Sequence, residues 1–290
     1  GVSSAASDVY KRQILNVWEN PKPGLYRSDY WEFRIPEPED SIGLRFHLSP
    51  FTKPHPPIAL GGGSPYSGTL AIAGKNGWIP ISLNLVHNNV VKTHWKAVEQ
   101  GASESKLSPD RNEWRIAREV YIADTTEEAR RHVMEGVLRR DYEDYWFKLN
   151  PSKDRMKGDI NMPDSDVDVE YLLDNLWIVG SPEDCIAGIN RLTENSGGFG
   201  GLLVQTIDWA SRENTKKSFE LIARYVMPHF HESTKGLVTS AQWTKQNRNS
   251  LADGQTKAVE KAQEDYDSSA TCLLYTSDAA DDTPCVDLGG

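Results

Sequence analysis

Cysteine is scarce in this chain of 290 residues, which has only three. Two of them, Cys272 and Cys285, lie close to the C-terminus, and Cys185 is the third. Because one thiol cannot build an internal disulfide framework, the pattern indicates a reducing compartment. We therefore expect a cytoplasmic protein.

Basic charge and long apolar runs are also in short supply. The 32 Lys and Arg residues are outnumbered by 42 Asp and Glu residues, which leaves a net charge of −10. A chain this acidic offers no broad face that would neutralise phosphates, so we expect no nucleic-acid partner. No apolar segment reaches the roughly 20 residues that a membrane-spanning helix needs, so we expect no membrane association. The 38% of hydrophobic residues suffice for one sizeable core or two small ones.

The two ends differ from the segment between them. Residues 1–13 (GVSSAASDVYKRQ) and 272–290 (CLLYTSDAADDTPCVDLGG) show no periodicity that leads into a neighbouring element. Both resemble translated sequencing adaptors, and natural flexible tails are the alternative. We therefore expect a native segment at 14–231, truncated at its N-terminal side, and a polar extension at 232–271 with a helix fragment or two.

Short apolar runs alternate with capped helical stretches in the middle of the chain. Residues 14–18 look like a last helical turn, and 24–57 like a long structured loop with a short strand at 44–48. We expect strands at 57–60, 78–83, 114–123 and 200–206, and helices at 90–101, 127–148, 185–195 and 214–230. This alternation predicts βαβ units and a parallel sheet. Since a complete (β/α)8 TIM barrel takes roughly 250 residues, about four units predict an α/β fold present as half a barrel.

The segment LGGGSPYS at 60–67 is the clearest chemical signal, because it joins an expected strand to an expected helix. Backbone N–H groups at a helix N-terminus attract anions, and glycines let a phosphate approach the backbone. An anion site at Gly62, Gly63, Ser64 and Ser67 is one interpretation, and a tight turn with a helix cap is the other. A P-loop is excluded because Thr69 occupies the lysine position.

Several blocks of the sequence resemble one family. Residues 54–80 (PHPPIALGGGSPYSGTLAIAGKNGWIP) are similar to the flavin-phosphate region of bacterial-luciferase-like monooxygenases. There a serine and a hydroxyl residue three positions later touch the phosphate, before a helix of small residues; Ser64, Ser67 and Ala71 stand at matching places. Residues 177–192 (WIVGSPEDCIAGINRL) and 220–230 (ELIARYVMPHF) resemble the C-terminal units of the family. Residues 30–39, 44–59 and 113–130 resemble its limonene 1,2-monooxygenase-type branch.

The resemblance implies a (β/α)8 barrel that uses reduced FMN, supplied by a separate NAD(P)H-dependent flavin reductase, and O2. The substrate would be a small apolar organic molecule such as a terpene. An oxidoreductase that uses the deazaflavin coenzyme F420 is the alternative within the superfamily, and an inactive fragment with open sheet edges is another. The catalytic residues of luciferases come from the first half of the barrel, so those of this chain are unknown. Ser82 or Asn84 is expected near the flavin, and a homodimer is compatible with the family.

A few other residues stand at positions of interest. His87 follows the second expected strand, where barrel sites open, and could face substrate or solvent. Asp208 and Trp209 follow the last expected strand, and Trp209 could line a substrate wall or cap the barrel. The histidines at 47 and 55 could pack the aromatic-rich loop or belong to a lid. The histidine pair at 229 and 231 lacks a third ligand, so we expect no metal site.

Overall fold

The computed structural model describes residues 14–19, 22–27, 32–43, 50–150, 152–205, 207–231 and 235–276. They belong to two compact units, Gly1–Met227 and Pro228–Gly290. The expected strand at 44–48, the adaptor-like segment at 1–13 and most of the one at 272–290 lie outside the described residues. Those expectations stay predictions.

The first unit begins with a short helix and a hairpin. Residues 14–19 are helical (α1), as the expected helical turn at 14–18 predicted. β1 (Gly24–Arg27) then pairs antiparallel with β2 (Glu32–Ile35), and the stacked rings of Tyr26 and Phe33 lie 5.1 Å apart across the pair. The long structured loop expected at 24–57 therefore contains a hairpin that the sequence did not reveal, and cross-strand aromatic pairs of this kind stabilise such a hairpin.

Five parallel strands form the sheet of the first unit. They are β3 (Ala59–Gly62), β4 (Ile79–Ser82), β5 (Arg115–Ile122), β6 (Ile178–Gly180) and β7 (Gly201–Gln205). β4 pairs with both β3 and β5, β7 pairs with Arg115–Glu119 of β5, and β6 pairs with Val120–Ile122. Parallel strands with helical crossovers confirm the predicted α/β fold of the (β/α)8 barrel type.

The sequence predicts about four units, and the structure has one strand more. β6 has only three residues, and its residues 178–180 run directly into the cap of the next helix. A strand this short shows no alternation of apolar and polar residues, which is why the pattern missed it.

Two helices after β3 and β4 cross in direct backbone contact. They are α2 (Gly68–Asn76) and α3 (Asn88–Glu104). A Cβ atom at Gly74 would lie 2.0 Å from the carbonyl oxygen of Val98, and one at Gly101 would lie 1.8 Å from that of Ala71. Since these distances are far below van der Waals contact, the crossing requires glycine at both positions.

The helix predicted at 127–148 is interrupted. It consists of α4 (Thr126–Glu135), α5 (Val137–Asp141), a π-helical turn at Tyr142–Trp146, and α6 (Phe147–Leu149). At the break, a Cβ atom on Gly136 would lie 2.7 Å from the carbonyl oxygen of Trp209. Because the neighbouring chain comes this close, glycine is required there, and helical periodicity alone does not reveal it.

The remaining helices of the first unit cover the later strands. They are α7 (Val169–Asn175), α8 (Pro182–Ser196), α9 (Arg212–Leu221) with a π-helical turn at Ile222–Val226, and the start of α10 (Met227–Phe230). Helix α8 begins with a capping box, because the Ser181 amide donates to Asp184 Oδ2 at 2.9 Å and the Asp184 amide donates to Ser181 Oγ at 3.2 Å.

The hydrophobic core lies between the sheet and these helices. β5 runs through its centre and is buried from Ile116 to Ile122, as a parallel strand covered on both faces should be. Aromatic rings fill one part of the core: Tyr121 stacks on Trp209 at 5.7 Å between centroids, and Trp177 meets Trp209 edge-on at 5.4 Å. Another part packs Trp95 on Trp114 at 5.5 Å.

The second unit consists mainly of α11 (Lys235–Gln246) and α12 (Arg248–Thr276). The helix fragments expected at 232–271 therefore underestimate its helical content. None of the helices in the described residues combines the length and the apolar composition that a membrane-spanning segment requires.

Candidate functional site

The glycine corner, residues 62–67, lies where β3 ends and α2 begins. Gly62 cannot carry a side chain, because a Cβ atom there would lie 2.4 Å from Leu70 Cγ and 2.6 Å from Ser67 Oγ. The Tyr66 amide donates to Thr93 Oγ1 at 2.9 Å, which ties the corner to α3. The corner therefore lies at the carboxyl edge of the parallel strands, the edge at which barrel active sites open.

The two serines of the corner differ in exposure. Ser64 is exposed, whereas Ser67 is buried and its hydroxyl is hydrogen-bonded to Thr69 Oγ1 at 2.8 Å. Thr69 in turn donates to the Gly61 carbonyl oxygen at 2.9 Å. Ser67 is the N-cap of α2 but makes no side-chain capping bond, so the amides of Gly68 and Thr69 keep the unpaired donors of a helix start.

A buried network of hydrogen bonds connects the side chains of three residues to the backbone of the corner. Trp114 Nε1 donates to Ser82 Oγ at 3.0 Å, and the Ser82 hydroxyl is 2.8 Å from His94 Nδ1. His94 Nε2 donates to the Ser64 carbonyl oxygen at 3.0 Å. The hydroxyl of Ser82 thus accepts from Trp114 and donates to His94, and the residue is fully buried. Its contact with the flavin, expected from sequence, stays a prediction.

Burial keeps the histidine of this network neutral. Burial lowers the pKa of His94 to about 4, the hydrogen bond to the Ser64 carbonyl opposes that shift, and the Arg118 charge adds to it. A neutral ring with its proton on Nε2 is the form that matches both hydrogen bonds.

An arginine that the sequence analysis did not select faces the corner. A Cβ atom at Gly63 would lie 3.7 Å from Arg155 Nη1. Among the described residues, the guanidinium of Arg155 has no hydrogen bond or ion pair, while its carbonyl oxygen accepts from the His87 amide at 2.8 Å. The adjacent corner cavity has a volume of 470 Å³ and is lined in part by Pro65, Thr93 and Arg155.

A second cavity, the mouth cavity, lies at the carboxyl ends of β4 and β7. Its volume is 380 Å³, and its lining includes Asn84, Glu119, Tyr142, Gln205 and Asp208. The carboxyl of Glu119 is fully buried, and its Oε1 accepts from Asn84 Nδ2 at 2.6 Å and from the Tyr142 hydroxyl at 3.0 Å. Asn84, expected near the flavin, thus lies in this cavity wall.

Two charged residues stand side by side inside β5. Arg118 donates to the Asn84 carbonyl oxygen at 3.0 Å and to Asn88 Oδ1 at 2.9 Å, and burial lowers its pKa to about 10. Burial raises the pKa of the Glu119 carboxyl, while its hydrogen bonds and the charge of Arg118 act in the opposite direction. Burial also raises the pKa of the Tyr142 hydroxyl.

The other residues selected from the sequence differ in their location and in their burial. His87 caps α3 by accepting from the Asn89 amide at 3.1 Å, and burial lowers its pKa, with the charges of Arg118 and Lys92 adding to the effect. Asp208 lines the mouth cavity, whereas Trp209 is buried in the core behind it. The histidine at 55 is partly buried, and the one at 47 lies outside the described residues. No cluster suited to a metal ion occurs among the residues the structure describes.

The family model of luciferase-like monooxygenases matches residues 14–198. The chain belongs to this family. Limonene 1,2-monooxygenase of Rhodococcus erythropolis is 34% identical over 200 residues, 68% of this chain and 50% of that protein. 3,6-Diketocamphane 1,6-monooxygenase of Pseudomonas putida is 32% identical over 221 residues, 73% of this chain and 58% of that protein. The family resemblance predicted from sequence, with its limonene-type branch, is confirmed.

A solved structure of the family agrees with the fold. It is the FMN complex of the oxygenating constituent of 3,6-diketocamphane monooxygenase from Pseudomonas putida, a type II Baeyer-Villiger monooxygenase. It superposes with a TM-score of 0.65 at 30% identity, over 78% of this chain and 64% of that one. This luciferase-like chain therefore spans about half to two thirds of the length of these three relatives.

The residues present in this luciferase-like chain fit the phosphate end of FMN. The corner has a position with no room for a Cβ atom, an exposed serine, and a helix start whose first amides have no partner among the described residues. The guanidinium of Arg155 nearby also has no partner within that part of the chain. Sequence reasoning found the corner but missed Arg155, His94 and Glu119. One signal for Glu119 was available: two adjacent charges interrupt the apolar strand sequence at 115–122.

Proposed function

We propose that this chain is part of a flavin-dependent monooxygenase that uses reduced FMN and O2 to oxygenate a small apolar organic molecule of the terpene class. The observation that carries the proposal is the glycine corner at the carboxyl edge of the sheet, in a chain of the luciferase-like family. The FMN complex of the diketocamphane enzyme and the names of the camphane and limonene relatives support the cofactor and the substrate class.

In this proposal the corner binds the terminal phosphate of FMN. The Ser64 hydroxyl and the amides of Gly68 and Thr69 donate hydrogen bonds, the positive end of α2 attracts the anion, and Arg155 supplies a cation. Gly62 and Gly63 leave room for close approach. Contacts of Ser67 and Ser82 with the flavin stay predictions, and the phosphate site does not need their hydroxyl groups.

The bound cofactor supplies the electrons for oxygen activation, and the chain's own residues position it and exclude water. The apolar side chains of the mouth cavity provide the substrate wall. A separate reductase is consistent with the description of the related structure as an oxygenating constituent. A homodimer stays a prediction.

The phosphate contact is tested by comparing FMN with riboflavin, which lacks the phosphate. We expect the 290-residue chain to bind FMN more tightly, and we expect Arg155→Gln to reduce this preference about fivefold, the effect of one charge-assisted hydrogen bond in a partly exposed site. Flavin fluorescence titration measures both affinities.

The matched control is Arg131→Gln, which removes the same charge from an exposed position on α4 and should leave the preference unchanged. Equal affinity of the wild type for FMN and riboflavin would refute the phosphate site. A thermal melt in the same buffers tests the inactive-fragment alternative, because a cooperative transition that FMN raises is not expected of a misfolded fragment.

A further inference from the structure

Four aromatic side chains form a continuous series of rings that begins at the mouth cavity. Tyr142 lines this cavity, and its ring lies 4.8 Å from that of Trp177 between centroids. Trp177 lies 5.4 Å from Trp209, and Trp209 lies 5.7 Å from Tyr121. These separations fall within the roughly 4.5–7 Å that is usual for aromatic rings in direct contact. We call this series of four rings the aromatic path.

The far end of the aromatic path reaches the surface of the protein. The Tyr121 hydroxyl is 2.8 Å from His132 Nδ1, and His132 Nε2 is 3.9 Å from the Glu128 carboxylate. The side chain of His132 is 14% exposed and that of Glu128 is 32% exposed, so small solutes have access to this end. The path therefore connects the mouth cavity with the outside through the core.

The two tryptophans of the path differ from its two tyrosines in their hydrogen bonds. Among the described residues, Trp177 Nε1 and Trp209 Nε1 are buried and have no acceptor, which is unusual because buried polar groups are nearly always paired. The Tyr142 hydroxyl donates to Glu119 Oε1 at 3.0 Å, and the Tyr121 hydroxyl has the histidine beside it. Each tyrosine thus has a neighbouring group that can accept a proton, whereas the tryptophans between them have none in the described part of the chain.

This arrangement suits the movement of an electron in short steps. Tyrosine and tryptophan are among the side chains that lose an electron most readily, and transfer between rings in contact is fast. An oxidised indole that cannot release its proton remains a strong oxidant, so it takes an electron from the next ring. An oxidised tyrosine that gives its proton to a neighbouring base becomes a neutral radical, which is a weaker oxidant, and the positive charge stops there.

The two tyrosines therefore share the oxidised state, and they differ in what can reach them. Tyr142 is buried at the cavity, whereas the hydroxyl of Tyr121 contacts a histidine that is open to solvent. Burial raises the pKa of Tyr121 to about 12, and the charge of Glu128 adds to the shift, so the phenol holds its proton until it is oxidised. Only the outer end of the path combines a proton acceptor with access for a dissolved reductant.

We propose that the aromatic path carries electrons from a thiol reductant at the surface to a one-electron oxidant in the mouth cavity, and thereby protects the cavity from oxidative damage. The oxidant is an oxygen-centred radical, a class that O2 chemistry at a flavin releases. The inference goes beyond the proposed function and rests on it only for the source of this radical.

The atoms and electrons of the transfer balance. The oxygen radical gains one electron through the path and one proton from water, and becomes a hydroxyl compound. Tyr121 loses one electron to the path and its proton to His132. A thiol then gives one electron to the tyrosyl radical, the proton returns from His132, and the thiol releases its own proton to water. The net reaction converts an oxygen radical and a thiol into a hydroxyl compound and a thiyl radical.

The test places a one-electron oxidant at the mouth cavity without FMN. Asp208 lines this cavity and is exposed, so Asp208→Cys offers an attachment point for a thiol-reactive ruthenium photo-oxidant. The background carries Cys272→Ser and Cys285→Ser, and the buried Cys185 is kept. A light flash with a quencher converts the ruthenium centre into an oxidant that takes one electron from the nearest ring. Time-resolved absorption and electron paramagnetic resonance then detect the tyrosyl radical.

We expect the labelled protein to show a tyrosyl signal that both Tyr121→Phe and Trp209→Phe abolish, because phenylalanine is too hard to oxidise. His132→Gln should also abolish it, since glutamine accepts no proton while Tyr121 is still present. Trp95→Phe is the matched control, because it changes a buried tryptophan in another part of the core and should leave the signal unchanged. Thermal melts verify that each variant is folded.

The reductant is tested in the same samples. Glutathione in the buffer should shorten the lifetime of the wild-type radical, because the outer end of the path is exposed. The proposal is overturned if no tyrosyl radical forms, if Tyr121→Phe leaves the signal unchanged, or if Trp95→Phe removes it as Trp209→Phe does. A lifetime that does not respond to glutathione overturns it as well.

FMN titration of the unlabelled chain keeps this test distinct from that of the proposed function. If FMN binds and no radical forms at Tyr121, the aromatic path loses its assigned role while the flavin proposal stands. If the radical forms as expected but FMN does not bind, the monooxygenase proposal fails and the electron path remains.

Discussion

Acid should unfold this protein in part through His94, the buried histidine beneath the glycine corner. Its ring accepts from the Ser82 hydroxyl, which requires a deprotonated Nδ1, and donates from Nε2 to the Ser64 carbonyl oxygen. Burial lowers the pKa of His94 from 6.5 to about 4 in the folded state. Above pH 6.5 neither the folded nor the unfolded chain binds a proton at this residue. Between pH 6.5 and 4 only the unfolded chain does, so stability is lost as the pH falls.

The size of this effect follows from the pKa difference. One pKa unit corresponds to about 1.4 kcal/mol, so His94 contributes a loss of about 2–3 kcal/mol in unfolding free energy between pH 7 and pH 4.5. That is a substantial share of the roughly 5–15 kcal/mol that stabilises a typical domain.

His94→Gln isolates this contribution, because glutamine offers one acceptor and one donor but does not titrate. Urea unfolding of both proteins at several pH values gives their free energies of unfolding, and the contributions of all other acids and histidines cancel in the difference. We expect the wild type to lose about 2–3 kcal/mol more than the variant on acidification, a shift of about 1 M in the urea midpoint. Parallel pH profiles for the two proteins would refute the neutral-histidine network.

Three further substitutions test the packing around the site. Gly101→Ala places a Cβ atom 1.8 Å from the Ala71 carbonyl oxygen, so thermal unfolding should reveal a loss of about 3 kcal/mol. Asp184→Ala removes the carboxyl that accepts from the Ser181 amide, and should cost about 1 kcal/mol in urea unfolding. Trp114→Phe removes the indole donor of the buried network, and should lower the unfolding free energy by about 2 kcal/mol.

For each of these three substitutions, one result would contradict the prediction. An unchanged melting temperature for Gly101→Ala would mean that the two helices do not cross in backbone contact. If Asp184→Ala leaves the free energy of unfolding unchanged, the capping box does not stabilise α8. If Trp114→Phe behaves as the wild type, the serine hydroxyl of the network has another donor.

The sequence predicted the features that depend on residues close together along the chain. The alternation of apolar runs and helix caps predicted four of the five parallel strands, and the local pattern of glycine and serine predicted the corner at 62–67. The failures have physical causes: β6 is too short for any periodicity, and the break at Gly136 depends on how close the chain at Trp209 approaches.

The polar contacts of the site connect distant parts of the chain, and the sequence did not reveal them. The side chains of Asn84 and Glu119 are 35 residues apart, and those of Glu119 and Tyr142 are 23 apart. Tyr142 reaches Glu119 from a π-helical turn that no residue type in the sequence marks. Arg155 approaches the corner from a polar loop whose path depends on the whole fold.

The glycine crossing of α2 and α3 has a consequence for how related proteins diverge. Because the two backbones touch there, no layer of side chains exists that could absorb a larger residue by repacking. Positions 74 and 101 should therefore change only together with the residues opposite them, and an alignment of relatives should show correlated substitution at these pairs. A lineage that enlarges one of the two glycines would have to move α2, and with it the spacing between the corner and the rest of the barrel.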